Sequence, residues 1–241
     1  MSEFMDIITS DNLSYKQKVL HLAQAAENSE HPIKTTAEFD RLFAAHALDD
    51  MCEGNAPYRP RYICPDYQVF AQNGSEFLRF DKPETLDDLL WGLAALYDNV
   101  PSVTSRPVYV GQLDKIIDPF LEGMTDAEIK PRLRRFLNHI DRTVASGYCH
   151  ANIGPEDTRA GRLLLEVDRE LMNAVPNFTL KYDPEITSDE FMRLAVKTTM
   201  VCSNPAFANH RIHKETYPGE YTVVSCYNVL PMGGGAYTLS R

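Results

Sequence analysis

Between Thr125 and Cys226 the chain alternates amphipathic helical stretches with short apolar runs, and nothing else in it constrains the fold as much. Thr125-Asp-Ala-Glu128 has the spacing of a capping box, which opens a helix reaching about Val144. Residues 148–153 read as a strand. Residues 157–173 read as a helix, with Leu163, Leu164, Val167 and Leu171 on one face. Residues 178–183 form the next strand, and residues 184–200 a helix that starts at the acidic Thr187-Ser-Asp-Glu190. Tyr221–Cys226 is the last strand of the series. Strands separated by helices pair in parallel through crossover connections, so the expected class is α/β.

The front of the chain is different. Residues 12–28, 36–48 and 84–97 carry apolar side chains at helical spacing. Residues 54–80 are rich in aromatics and proline, which predicts an ordered, extended segment lying on a core. Residues 99–111 read as a loop and then a short strand, while Asn204–Asn209 reads as loop. Residues 1–98 are thus mainly helical, and residues 99–241 alternate strand and helix up to the cysteine loop. With no Gly-, Ser- or Pro-rich linker, the expectation is a single domain over 1–241.

The formal charge of -10 argues against a nucleic-acid or membrane-surface binder, which needs clustered Lys and Arg. No apolar run is long enough to span a bilayer, and the first residues lack the pattern of a secretory signal. Five cysteines are widely spaced without a CxxC pair, so neither a disulfide framework nor a zinc knuckle is indicated. A reducing cytoplasm is the expected location.

Cys226 ends the β-branched run Tyr221-Thr-Val-Val-Ser-Cys226 and precedes Pro231-Met-Gly-Gly-Gly235. A strand of this kind delivers a thiol to a tight loop. Free cysteine is also a common core residue. Position favours function, because sites in parallel sheets gather beyond the carboxyl ends of strands. The flanking Val223, Val224, Ser225, Tyr227 and Val229 bring no charge, a setting for a protonated thiol. Such a thiol is a poor nucleophile and a suitable hydrogen-atom donor. A cysteine hydrolase pairing Cys226 with a distant histidine is the competing enzymatic reading.

Other polar residues have two readings each. Arg106 suits a carboxylate ligand or a structural ion pair. His150 and Asn152 share one face of their strand and either line a cavity or form a satisfied polar core. His210-Arg-Ile-His213, with Cys202 nearby, has metal-ligand spacing but no carboxylate to complete a set.

Five segments in order resemble the glycyl radical enzymes. Gly111-Gln-Leu-Asp-Lys-Ile-Ile-Asp-Pro-Phe120 is similar to that family's Gly-Arg-x-Asp-Gln-x-x-x-Pro-Tyr. Asn152-Ile-Gly154, Pro176-Asn-Phe-Thr-Leu-Lys-Tyr182 and Asn204-Pro-Ala-Phe-Ala-Asn209 follow. Tyr221-Thr-Val-Val-Ser-Cys226 resembles the strand that presents the family's thiyl cysteine. Glu53–Tyr62, Asn99–Tyr109, His150–Pro155 and Tyr182–Thr187 look like the YjjI-type branch.

The resemblance implies half of a glycyl-radical-enzyme-type α/β barrel with parallel strands and N-terminal helices. Cys226 would be the catalytic thiyl, and Arg106, His150, Asn152 and Asn228 would line the substrate cavity. No cofactor is expected on this chain. The glycyl radical, installed by a radical SAM activating enzyme, belongs to an Arg-Val-x-Gly-Tyr loop that this sequence lacks. The chain ends fifteen residues after Cys226, so the expectation is a catalytic-half fragment, inactive alone. Its partners would be the C-terminal radical segment, the activating enzyme, a small-molecule substrate and a second copy in a homodimer. A non-catalytic remnant or docking subunit is the alternative. Where dehydratase relatives have Gly-Cys-x-Glu, this chain has Ser225, Cys226, Tyr227 and Asn228. An amide cannot accept a proton as the glutamate does, which argues against diol- or choline-type elimination. A single cysteine in place of an adjacent pair argues against pyruvate formate-lyase chemistry.

Overall fold

The computed structural model describes residues 2–28, 36–48, 62–65, 67–76, 79–99, 109–143, 149–224, 228–231 and 237–240. Helices α1 (Ser2–Thr9), α2 (Tyr15–Asn28) and α3 (Ala37–Ala44) open the chain. Strand β1 (Tyr62–Pro65) and helices α4 (Tyr67–Asn73) and α5 (Leu86–Asn99) follow. Then come β2 (Tyr109–Val110), α6 (Leu113–Ile117), a 3-10 turn (Asp118–Leu121), α7 (Asp126–Thr143) and β3 (His150–Ile153). Next are α8 (Arg159–Leu171), β4 (Asn177–Tyr182), α9 (Asp189–Cys202), β5 (Ala206–Asn209) and α10 (His210–Thr216). Strands β6 (Tyr221–Val224), β7 (Asn228–Pro231) and β8 (Tyr237–Ser240) close the described chain. No helix among the described residues is long and apolar enough to cross a membrane.

The helix starts are those the side chains dictate. Glu128 accepts from the backbone N–H and hydroxyl of Thr125 at 2.8 and 2.7 Å, the reciprocal half of the expected capping box. Thr158 and Ser188 cap α8 and α9 by accepting from the N–H groups of Gly161 and Phe191.

The parallel sheet has the order β2-β3-β4-β5 and is open, with β2 and β5 at its ends among the described residues. One face carries Ala151, Ile153, Phe178 and Leu180 into the main apolar core, with Leu163, Leu164 and Val167 of α8 and Phe191 and Ala195 of α9.

Three expectations are corrected. Asn204–Asn209 is not all loop, because β5 lies there and pairs with β4, Thr179 opposite Ala206. Alanine and asparagine carry little strand preference, so the pairing comes from the neighbouring strand. The run at Tyr221 does not join the parallel series, but forms an antiparallel hairpin with β7, Val223 opposite Val229. The aromatic stretch 54–80 is not extended throughout. Tyr67 and Phe70, three apart, bury one stripe of helix α4, while β1 pairs with β8.

Candidate active site at the cysteine strand

Strand periodicity divides the parallel sheet into an apolar face and a polar one. His150 and Asn152 share the second face of β3. Asn152 stands opposite Thr179, so Thr179 and Lys181 of β4 join them, and Ala206 and Ala208 of β5 continue the row. Asn152 and Lys181 have no exposed surface, and Thr179 and Ala208 are also buried. The hairpin β6–β7 covers this face, where Tyr221 and Val223 pack on Ala208, with Tyr217 and Val229 beside them.

Polar side chains hold β6 there. Asn152 Nδ2 donates to the carbonyl of Val223 at 2.8 Å, and its Oδ1 accepts from the N–H of Val223 at 2.6 Å. The same Oδ1 accepts from the hydroxyl of Thr222 at 3.1 Å. Lys181 Nζ donates to the carbonyl of Tyr221. The Tyr221 hydroxyl meets His210 Nδ1 at 2.7 Å, and the two rings stack. His213 lies against the same ring. Burial pushes the Tyr221 phenol up, helped by the charges of Glu220 and Asp183. His210 and His213 are pushed down by burial first and then by the Lys181 charge.

A second network ties helix α6 to the end of β3 and the start of α8. The carboxylate of Asp114 accepts at Oδ2 from the N–H of Gly154 and the hydroxyl of Thr158, both at 3.0 Å. Its Oδ1 is buried with no hydrogen-bond partner among the described residues. Burial raises its pKa to about 6. Gly154 has φ +73, a conformation other residues resist, and an added Cβ would lie 2.8 Å from Leu180 Cδ1. Gln112, two residues before Asp114, donates to Glu220 just ahead of β6. At the other end of the sheet Asn204 accepts from the N–H of Phe178 and donates to Pro176 O and Asp168. Segments far apart in sequence thus converge on one sheet, and they are the segments that resemble a known family.

The model of the YjjI-like family, described as "Glycyl radical enzyme YjjI-like", matches residues 13–241. The chain belongs to the YjjI-like glycyl radical enzyme family. It is 46% identical over 244 aligned positions to a Haemophilus influenzae (strain ATCC 51907 / DSM 11121 / KW20 / Rd) protein described as an uncharacterized protein. That alignment covers 100% of this chain and 47% of the relative. It is 45% identical over 236 positions to the uncharacterized protein YjjI of Escherichia coli (strain K12), covering 98% of this chain and 46% of the relative. The chain therefore spans about half the length of the curated relatives it matches.

Within this YjjI-like chain, Cys226, Ser225, Arg106 and Gly233–Gly235 lie outside the described residues, as does the side chain of Asn228. The backbone of Asn228 begins β7, opposite Val224. His150 is half-buried on the polar face, and burial lowers its pKa to about 4, so it is neutral at pH 7. Asn152, read as cavity-lining from the sequence, has its amide engaged by the β6 main chain. The His210–His213 pair turns to Tyr221, while Cys202 contacts Asp168 and Thr198. No group of three His, Cys, Asp or Glu residues placed to hold a metal occurs among the described residues. Sequence reading missed Lys181, though a lysine at the alternate position from Thr179 in a buried strand was its signal. It also missed the meeting of Gln112 with Glu220, a long-range pair that no local pattern announces.

Proposed function

We propose that the chain is the cysteine-bearing half of a glycyl radical enzyme, in which β6 leads to the thiol whose thiyl takes a hydrogen atom from substrate. The observation that carries this reading is the family match through residue 241, joined to a buried polar face on which β6 is anchored two residues before the match reaches Ser225-Cys226. This chain covers 46–47% of the relatives, which leaves a remainder of similar length where the radical-bearing segment would lie. In the complete protein the parallel sheet would form half of a barrel around the cysteine loop. A radical SAM activating enzyme would generate the radical on a backbone glycine of that remainder. The Cys226 thiol then gives its hydrogen atom to the glycyl radical and becomes a thiyl. The thiyl takes one hydrogen atom from a small-molecule substrate, restoring S–H and leaving a substrate radical. Arg106, His150 and Asn228 are the candidate substrate contacts, and the enclosed sheet face keeps water and oxygen from the intermediate.

The test uses anaerobic co-expression with a polypeptide covering the rest of the relatives' length and with an activating enzyme. The S–H proton exchanges with solvent, so a radical shuttling through Cys226 carries deuterium to the glycine. Electron paramagnetic resonance in deuterium oxide is expected to show loss of the glycine α-proton coupling. Cys226→Ala is expected to keep that coupling. Exchange that persists in Cys226→Ala, or a stable organic radical on this chain alone, overturns the reading.

A further inference from the structure

Successive residues of a strand send their N–H and C=O groups to opposite edges. On β6, residues 221 and 223 therefore share one edge, and residues 222 and 224 the other. All four residues of β6 face β7, Tyr221 opposite Pro231, Thr222 opposite Leu230, Val223 opposite Val229 and Val224 opposite Asn228. Facing residues of an antiparallel pair alternate between hydrogen-bonded and non-hydrogen-bonded. The peptide groups of Tyr221 and Val223 are met by side chains, Lys181 at Tyr221 and Asn152 at Val223. A primary amide offers one acceptor and a donor pair on adjacent atoms, the same complement as a peptide unit. Asn152 satisfies both the N–H and the C=O of Val223, as one residue of a neighbouring strand would. Its own strand runs in the parallel sheet, with Asn152 opposite Thr179, and this fixes where the amide can be.

We propose that Asn152 is a positioning residue for the strand that leads to Cys226, a side-chain rung that sets the register of β6 against the sheet. This rests on the reading of Cys226 as the reacting thiol and gives Asn152 a role other than substrate contact. The amide is required for its donor and acceptor together. Alanine leaves both Val223 groups buried without partners. Aspartate, when ionised, accepts from Val223 N–H but has nothing to give Val223 O. Protonated aspartic acid regains the donor.

The test is hydrogen–deuterium exchange of the full 241-residue chain, with alkylation of Cys226 by iodoacetamide followed by peptide mass. Asn152→Ala is expected to speed exchange at Val223 tenfold or more and to change the Cys226 alkylation rate at least fivefold. Peptides from α8 and β4 should stay within twofold of the parent. Asn152→Asp is expected to expose β6 at pH 8 and to recover parent-like protection as the pH falls, read as a ratio to the parent at each pH. Lys181 and His150 share this face, and the Lys181 cation favours the carboxylate and moves the recovery toward acid pH. A space-filling role for residue 152 gives no such recovery. Unchanged Val223 exchange, an unchanged Cys226 rate, or loss of protection spread over the whole chain each overturns the proposal. Should Asn152→Ala fail to fold, the pH profile of Asn152→Asp decides alone, and a flat ratio overturns it. No radical is involved, so failure here leaves the reading of Cys226 standing, and failure of the resonance experiment leaves the rung standing.

Discussion

Lys181 donates from Nζ to the carbonyl oxygen of Tyr221 at 2.5 Å and lies 4.3 Å from the centre of the same tyrosine's ring. One buried cation thus holds both the backbone and the side chain at the start of β6. The Lys181→Met variant keeps most of the volume and removes the donor and the charge. Loss of a hydrogen bond from a charged donor is expected to cost about 1.5–3 kcal/mol, read from urea unfolding. A charge effect separates this from simple packing loss. Lys181 helps hold down the pKa values of His210 and His213, so both should rise in Lys181→Met. Imidazole proton shifts followed against pH check this, and unmoved midpoints would show that the Lys181 charge does not reach the two rings.

Asp114 links stability to pH. Its folded pKa, raised to about 6 from an ordinary 3.8, means that the folded state binds a proton the unfolded chain has already released. That contribution is complete below pH 3.8 and is lost as the pH rises through about 6. At 1.36 kcal/mol per pH unit it amounts to roughly 3 kcal/mol. Asp114→Asn should remove this slope and make the protein more stable than the parent at pH 8, since an amide can still accept from Gly154 and Thr158. Asp168, also raised to about 6 by burial, keeps its own slope in the variant. The comparison is the difference between variant and parent in chemical unfolding at pH 4.5 and pH 8. Equal differences at the two pH values would remove Asp114 as the source.

Helices α2, α3, α5, α7, α8 and α9 and the alternation of strand and helix around β3 and β4 were legible because their signals are local, while the short helices α1, α4, α6 and α10 were not read. The capping box at Thr125, the leucine stripe of α8 and the acidic start of α9 each depend on residues within a few positions. Strand β5 was not legible. Ala206, Phe207, Ala208 and Asn209 carry no strand pattern, and only the ladder with β4 makes them one. The hairpin of β6 was missed for a related reason. Hydrophobic alternation says that Tyr221–Val224 is extended, not which neighbour it pairs with. His150 and Asn152 were legible as polar groups on a buried face, but partners such as Val223 lie 71 positions away. What the sequence conveyed about the site came from segment order, which three-dimensional convergence explains at Asp114, Gly154 and Lys181.

His150 offers a check on the polar face itself. Its pKa, lowered by burial to about 4 from 6.5, favours the folded state above pH 6.5, and this is lost as the pH falls toward 4. The sign is opposite to that of Asp114, so acid destabilisation from His150 should emerge more clearly in Asp114→Asn. The imidazole protons of His150 are expected to titrate near pH 4. A midpoint close to 6.5 would place the ring in water, away from the covered face.

Gly161 shows how closely the helices lie on the Asp114 network. A Cβ at this position would meet Phe191 Cζ and Thr158 Oγ1 at 2.9 Å and Asp114 Oδ2 at 3.4 Å. Phe191 is fully buried, and Thr158 is held as the cap of α8 and as a donor to Asp114. Neither can move without loosening a second contact. Two effects compete in Gly161→Ala. Alanine gains about 1 kcal/mol of helix propensity over glycine. Overpacking a filled core costs about 1–3 kcal/mol, and here it also presses on the cap and on the Asp114 carboxylate. Net destabilisation of about 1–2 kcal/mol is expected, seen as a lower Tm. Gly219→Ala is the control, because nothing lies within 4 Å of its added Cβ, and it should stay within about 0.5 kcal/mol of the parent. A Gly161→Ala protein as stable as Gly219→Ala would mean that α8 stands off from α9 by more than the packing described.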